Sequence, residues 1–281
     1  MEGMDQWSVA AVLDALWAGQ AAAVAAARGV LPALAEAVAA AVPRLRAGGT
    51  LAYAGAGTSG RLGALDAAEL PPTFGIEPPM LLLAGGMSAM SLAAEGAEDD
   101  AQAGTLAAQA LNATDVLIAI AASGGTPFTV AAARAARARG CLVVAIANAP
   151  GSTLLDAADH GILLATGAEP LAGSTRMNAG TAQLVALKLF STALMIALGH
   201  SFGGRMVDMR PTNAKLRARA VRMLCELTGC DDIAATAALA ATGGSVKRAV
   251  LVVHGLDSDD ATALLTRHDG HLRPALAEVL A

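Results

Sequence analysis

Aromatic residues are nearly missing from this 281-residue chain: four Phe, two Trp and one Tyr make up 2% of it. Single-stranded nucleic acid is held on aromatic stacking platforms, and there is no material here for one. Cysteine is scarce as well. Cys141, Cys225 and Cys230 are odd in number and form no C-x-x-C pair. That argues against a disulfide scaffold or a cysteine metal site and fits free thiols in a reducing compartment. No basic block occurs and the formal charge is -5, so neither nucleic acid nor an anionic membrane is an expected partner. Met1 to Trp7 carries acids and no basic stretch, unlike a signal peptide. The most apolar long segment, Leu184 to Gly199, is interrupted by Lys188 and falls short of the roughly 20 residues a bilayer span needs. It reads as a buried helix. The expectation is a cytoplasmic protein with no membrane partner.

What the chain does have is core material, since 55% of it is hydrophobic and much of that is helix-favouring alanine. Val9, Val12, Leu13, Leu16 and Trp17 recur at helical spacing, so a helix is expected from about Gln6. Pro32 separates it from a second helix ending near Gly48-Gly49. Continuous apolar runs then appear at Leu51–Ala54, Met80–Ala84, Val116–Ala122, Leu142–Ala147 and Gly161–Ala165, with helical stretches such as Ser88–Ala110 and Phe128–Arg139 between them. Buried parallel strands look like this, and the alternation predicts an α/β fold: a doubly wound, mostly parallel five-stranded sheet. Ser174 or Thr175 is placed to cap a long helix through Ala197. Residues 1–215 are expected to form the α/β domain with its N-terminal helices, and residues 216–281 a small appendage of three or four short helices.

The most informative stretch runs from Gly55 to Gly75. A short strand turns into a helix there, leaving backbone N–H groups unpaired at the positive end of the helix dipole, which suits phosphate. Thr58 and Ser59 add hydroxyls. Glu69 is expected near the end of that helix, with Pro71-Pro72 as the stop. Gly55, Gly57 and Gly60 match G-x-G-x-x-G, but the next strand ends Leu83-Ala84-Gly85-Gly86, with no acid for a ribose, which disfavours a dinucleotide. A second strand, turn and helix start follows at Ser123-Gly-Gly-Thr-Pro127. Two such turns at neighbouring strand ends can grip one ligand. A phosphorylated substrate with acid/base chemistry beside it is the expectation. His268 and His271 are three apart, but no third ligand is evident, so no metal site is expected.

These residues carry a family resemblance. The 55–75 segment, Glu95-Gly-Ala-Glu-Asp99, Ser123–Phe128 and Gly173-Ser-Thr-Arg-Met-Asn-Ala-Gly-Thr-Ala-Gln183, continued by Met206-Val-Asp-Met and Thr212-Asn-Ala-Lys-Leu216, together resemble N-acetylmuramic acid 6-phosphate etherases of the sugar isomerase (SIS) fold. The resemblance implies a lyase that splits the D-lactyl ether of N-acetylmuramate 6-phosphate during cell-wall recycling, without metal or redox cofactor, acting as a homodimer. It places the catalytic glutamates on Glu69 and Glu98. It implies substrate contacts from Gly57, Thr58, Ser59, Arg61, Ser123, Thr126, Ser174 and Arg176, the arginines facing phosphate or the lactyl carboxylate. Gly125, Asn178 and Ala214 stand where many etherases carry Arg, Lys and Glu, which leaves the sugar's 3-O-substituent open. A non-catalytic phosphosugar regulator and a SIS aldose–ketose isomerase are the alternatives.

Elimination of an ether needs a base at C2 and an acid at the ether oxygen, two roles that carboxylates in different environments can divide. Glu69 is expected as the acid, its pKa raised by a helix C-terminus, and Glu98 as the base. Glu95, three residues away on a shared helix face, would orient it.

Overall fold

The structure is a computed structural model that describes residues 3–281. The chain divides into two compact units, one comprising the chain to Ala68 with Pro79–Thr192, the other Glu69–Pro78 with Ala193–Ala281.

The first unit is built on five parallel strands in the order β2-β1-β3-β4-β5. They are β1 (Leu51–Gly55), β2 (Met80–Leu83), β3 (Val116–Ala121), β4 (Leu142–Ala147) and β5 (His160–Leu163). Every residue of β1, β3 and β4 is buried, which is why these runs lack polar alternation. Side chains alternate across a strand. Leu117, Ala119 and Ala121 accordingly join one core with Val130, Ala133 and Ala136 of α5 (Pro127–Ala138). Before β1 stand α1 (Val9–Arg28), capped by Ser8, and α2 (Leu31–Arg46), which packs on β3, β4 and β5. The crossovers are α3 (Gly57–Phe74), α4 (Ala101–Ala107) with α5, and α6 (Thr153–Asp156); α7 (Asn178–Ala197) follows β5. Among the described residues α1 and α7 are long and apolar enough to cross a membrane by length and composition. At 20 residues α7 is longer than the apolar segment read from the sequence; its apolar window is 56% buried inside the protein and that of α1 only 6%, so α7 packs into the core and α1 presents its apolar side outward.

Three local expectations are corrected. The stretch Ser88–Ala110 is not one helix: short 3-10 turns at Met87–Met90 and Ala97–Asp99 precede α4. Gly96 lies between Glu95 and Glu98 at φ 73, a left-handed conformation that ends any helix arriving there. Glu95 and Glu98 therefore share a turn rather than a helix face. Pro71-Pro72 does not stop α3, which runs on to Phe74. Burial of Leu70 and Phe74 outweighs the two missing N–H donors, and Gly75 N–H closes the end on Pro71 O at 2.9 Å. Finally, α7 starts at Asn178 rather than Ser174 or Thr175, because the Glu169 carboxylate takes the N–H groups of Asn178 and Ala179 at 2.9 and 2.8 Å.

The second unit holds five short helices rather than three or four: α8 (Ala214–Thr228), α9 (Asp232–Ala241), α10 (Val246–Val253), α11 (Ser258–Arg267) and α12 (Leu272–Leu280). Caps from Asn213, Asp231, Ser245 and Asp257 start the first four, and Met223, Leu224, Leu239, Val250 and Leu264 fill their core. The tail of α3 is tied to this unit. Arg210 donates to Gly75 O and to Glu77 at 2.8 Å each. Asp208 binds Lys247 Nζ at 2.5 Å and His200 Nδ1 at 2.8 Å, and the His200 ring lies 6.5 Å from that of Phe74.

Candidate active site

The strand order makes a switch point between β1 and β3. From β1 the chain crosses to β2 on one side; from β3 it crosses to β4 on the other. The turns leaving Gly55 and Ala121 are therefore neighbours, with Gly55 in register with Ile120. Open α/β sheets bind ligands at such a point, outside the carboxyl ends of the strands. The helix α3 starts there hard against β1. A Cβ on Gly60 would come within 2.8 Å of Gly55 O and 2.4 Å of Leu83 Cδ1, so glycine is required for this approach. The first N–H groups of α3, from Gly57 on, have no partner within the helix.

A cleft of about 240 Å³ lies beside this helix start, lined by Gly57, Arg61, Glu95, Gly96 and Glu98 together with alanines. Arg61 builds its wall: Nε donates to Ala89 O at 2.9 Å and an Nη to Leu92 O at 3.2 Å, strapping the loop before Glu98 to α3. Glu98 is exposed in the 3-10 turn Ala97–Asp99, after which Asp100 caps α4 through Ala103 N–H at 2.8 Å. Three residues named in advance, Gly57, Arg61 and Glu98, thus meet in one cleft, with Glu95 beside them.

Ser59 is buried and donates its hydroxyl to Gln183 Oε1 at 2.9 Å. Gln183 Nε2 donates in turn to Asn148 Oδ1 at 2.9 Å, and Asn148 Nδ2 to Leu164 O at 3.1 Å. The Ser59 proton is therefore directed inward. Thr58 is half-buried, with its methyl toward Gly180 of α7. Ser123 is exposed and accepts from Gly125 N–H at 3.2 Å. Thr126 stands at the N-cap of α5 with its hydroxyl unused for capping, and Pro127 follows at the first helical position. Ser174 and the exposed Arg176 lie in the turn before α7. Glu69 is exposed on α3, five residues before its end, and does not line the cleft. The helix dipole acts within the last turn, which Glu69 precedes on α3.

Sequence reasoning missed the buried polar groups. Asp66 is 1% exposed on α3 and accepts from Tyr53 Oη at 2.8 Å and Ser191 Oγ at 3.1 Å, with Lys188 Nζ at 3.7 Å. Burial holds the Tyr53 phenol well above its usual range, and the Asp66 charge pushes the same way. A lone Asp among apolar neighbours, Leu62, Ala64, Leu65 and Ala67, was the available signal. Among the described residues no group of three or more His, Cys, Asp or Glu side chains is arranged to hold a metal.

The parallel sheet with its switch-point cleft is that of the SIS class. Residues 90–193 match the SIS domain family and residues 33–136 the glucokinase regulatory protein N-terminal SIS domain. A proposed phosphosugar isomerase involved in capsule formation from Bacteroides fragilis superposes with a TM-score of 0.55 at 22% identity, over 70% of this chain and 95% of that one. The relation narrows with N-acetylmuramic acid 6-phosphate etherases. The Deinococcus radiodurans protein is 50% identical over 98% of this chain and 92% of its own length. That of Streptomyces avermitilis is 50% identical over 88% and 81%. The chain belongs to the N-acetylmuramic acid 6-phosphate etherase family and is an enzyme of the carbon–oxygen lyase type.

Proposed function

We propose that the chain converts N-acetylmuramate 6-phosphate and water to N-acetylglucosamine 6-phosphate and D-lactate, in cell-wall sugar recycling. The observation that carries this reading is the single cleft in which the start of α3 and Glu98 meet. The unpaired N–H groups at Gly57 and after it, with Thr58, take the phosphoryl oxygens. Ser123 and Thr126 approach from the neighbouring strand end. Ser59 contributes its N–H, its hydroxyl being committed to Gln183. Arg176 and Ser174, and the free part of the Arg61 guanidinium, serve the lactyl carboxylate or the phosphate.

In the ring-opened sugar the C2 proton is acidified by the neighbouring aldehyde. Glu98 removes it, the C3–O bond breaks, and Glu69 supplies the proton to the departing lactate oxygen. Water then adds across the C2–C3 double bond, its hydroxyl to C3 and a proton to C2, with Glu98 as donor. Glu95 sits across Gly96 from Glu98 in the same cleft wall and sets its electrostatic setting. The chemistry calls for no metal and no redox cofactor.

We place the enzyme in the cytoplasm, where its three free thiols stay reduced, and infer a homodimer. The support is α1, whose Val9, Leu13 and Trp17 are 75%, 60% and 72% exposed along one side. Apolar area of that kind on a helix is normally covered by a partner. Incubation with N-acetylmuramate 6-phosphate and assay of D-lactate tests the reading. Saturable binding without turnover would identify a sensor, and turnover of hexose phosphates without lactate an isomerase; either result overturns the assignment.

A further inference from the structure

The second unit carries a cleft of its own. It lies between α8 and α9, holds about 370 Å³, and has Pro211 and the Gly243-Gly244 turn at its edge. Small-molecule sites ordinarily fall between roughly 300 and 1,000 Å³. The lining is mostly apolar: Ala220 and Val221 of α8 face Leu239 and Ala240 of α9. Alanines at this crossing leave a gap that larger side chains would fill. The walls are fixed. Gly244 N–H closes the end of α9 on Leu239 O at 2.7 Å, and the Arg248 guanidinium holds Thr242 O. Pro211 Cγ stands 2.9 Å from where a Cβ on Gly244 would be. A cleft so held keeps apolar surface in water, and an apolar guest relieves that cost.

Two polar side chains reach the cleft, Arg217 and Thr236. The Thr236 hydroxyl already donates to Asp232 O at 2.7 Å. Arg217 is the opposite case. It is exposed, pairs with no carboxylate among the described residues, and makes one long bond, from an Nη to Thr212 O at 3.5 Å. Most of its fork of donors is unused. The helix around it supplies no counter-charge. Lys215, Arg219 and Arg222 share α8 with Arg217, and the only acid of that helix, Glu226, is bound by Arg205 at 2.7 Å. Cations near a helix start also oppose its dipole, so this end of α8 wants a negative charge that the chain does not provide.

We propose that the cleft between α8 and α9 binds a small amphipathic carboxylate, its apolar chain laid between the helices and its charged end on Arg217. The planar guanidinium matches the two carboxylate oxygens. None of these residues is among those assigned to the reaction.

Sodium octanoate titrated into the full chain, followed by methyl-resolved NMR, tests the site. Octanoate should shift the Val221 and Leu239 methyl signals saturably, at concentrations on the order of millimolar for so small a ligand. Octan-1-ol has the same chain without the charge and should bind about tenfold more weakly. Arg217→Gln should weaken octanoate by about the same factor and leave octan-1-ol unchanged. Ala240→Leu fills the cleft from an exposed helical position and should abolish the shifts from both. Thermal midpoints confirm that the variants fold, and Arg217→Gln decides alone if Ala240→Leu does not. The proposal is overturned by absence of saturable shifts, by equal binding of octanoate and octan-1-ol, by unweakened octanoate binding in Arg217→Gln, or by shifts that persist in folded Ala240→Leu.

Discussion

Ser59 and Gln183 face each other across a buried 2.9 Å hydrogen bond, the hydroxyl of one giving its proton to the amide oxygen of the other. The bond joins the first turn of α3 to the second turn of α7 and continues through Asn148 to the end of β5. Ser59→Ala leaves the Gln183 carbonyl buried without that donor and should cost about 1–3 kcal/mol of stability. The backbone N–H is retained, so KM should change less than several-fold. Urea unfolding and steady-state kinetics on the same variant check both halves; a large KM rise without a stability loss would contradict the inward direction of the proton.

Arg61 holds two carbonyls of the loop that leads to Glu98. Lysine has the charge but not the fork. Arg61→Lys should loosen the loop, opening residues 87–96 to proteolysis, and should lower kcat/KM by about 10²-fold, the usual effect of a misplaced catalytic group. Limited digestion with mass mapping, run beside the kinetics, measures it.

The glutamates should separate the two halves of the reaction. Glu69→Gln should lower lactate release by about 10²–10⁴-fold, the range for loss of a general acid, while C2–H still exchanges with solvent deuterium. Glu98→Gln should lose both. NMR of the substrate in D₂O follows exchange, and a coupled lactate assay follows cleavage. Loss of exchange in folded Glu69→Gln would assign the base to Glu69.

Lys247 has only 8% of its side chain exposed and pairs with Asp208, which also binds His200. Breaking a buried pair leaves one charge stranded. Asp208→Asn should therefore destabilise the protein by about 3 kcal/mol, read as a drop in the thermal midpoint. The tail of α3 bearing Glu69 is held by the neighbouring Gly75 and Arg210 contacts, so kcat should fall more than KM rises.

Asp115 sets an acid limit. Burial raises its pKa, but N–H donors from Asn112 and Thr50 and the Thr50 hydroxyl outweigh this and hold it below the usual aspartate value. A carboxylate depressed in the folded state stabilises above its unfolded pKa of about 3.9 and loses that stability as pH falls through the folded value. The stability advantage of wild type over Asp115→Asn should be constant at neutral pH and shrink below about pH 4. Denaturation midpoints across that range test the sign.

The strands were legible because both faces of the sheet are covered, so Val116–Ala121 and Leu142–Ala147 are apolar without a break. The two turns beside β1 and β3 were legible because Gly, Ser and Thr cluster where a strand meets a helix. Local signals failed where tertiary packing overrode them. Pro71-Pro72 are carried through α3 by the burial of Leu70 and Phe74, and alanine richness between Ser88 and Ala110 concealed a loop that Gly96 breaks. Gln183 and Asp66 were invisible as site supports because each gains its partners from residues more than 100 positions away or on another element.

Glu169 spends both carboxylate oxygens on the first N–H groups of α7. That port is thereby closed to outside anions by the protein's own acid, while the starts of α3 and α5 stay open. Any anion arriving at the start of α7 would have to evict an internal carboxylate of the same sign, so that helix end is spoken for before any ligand arrives.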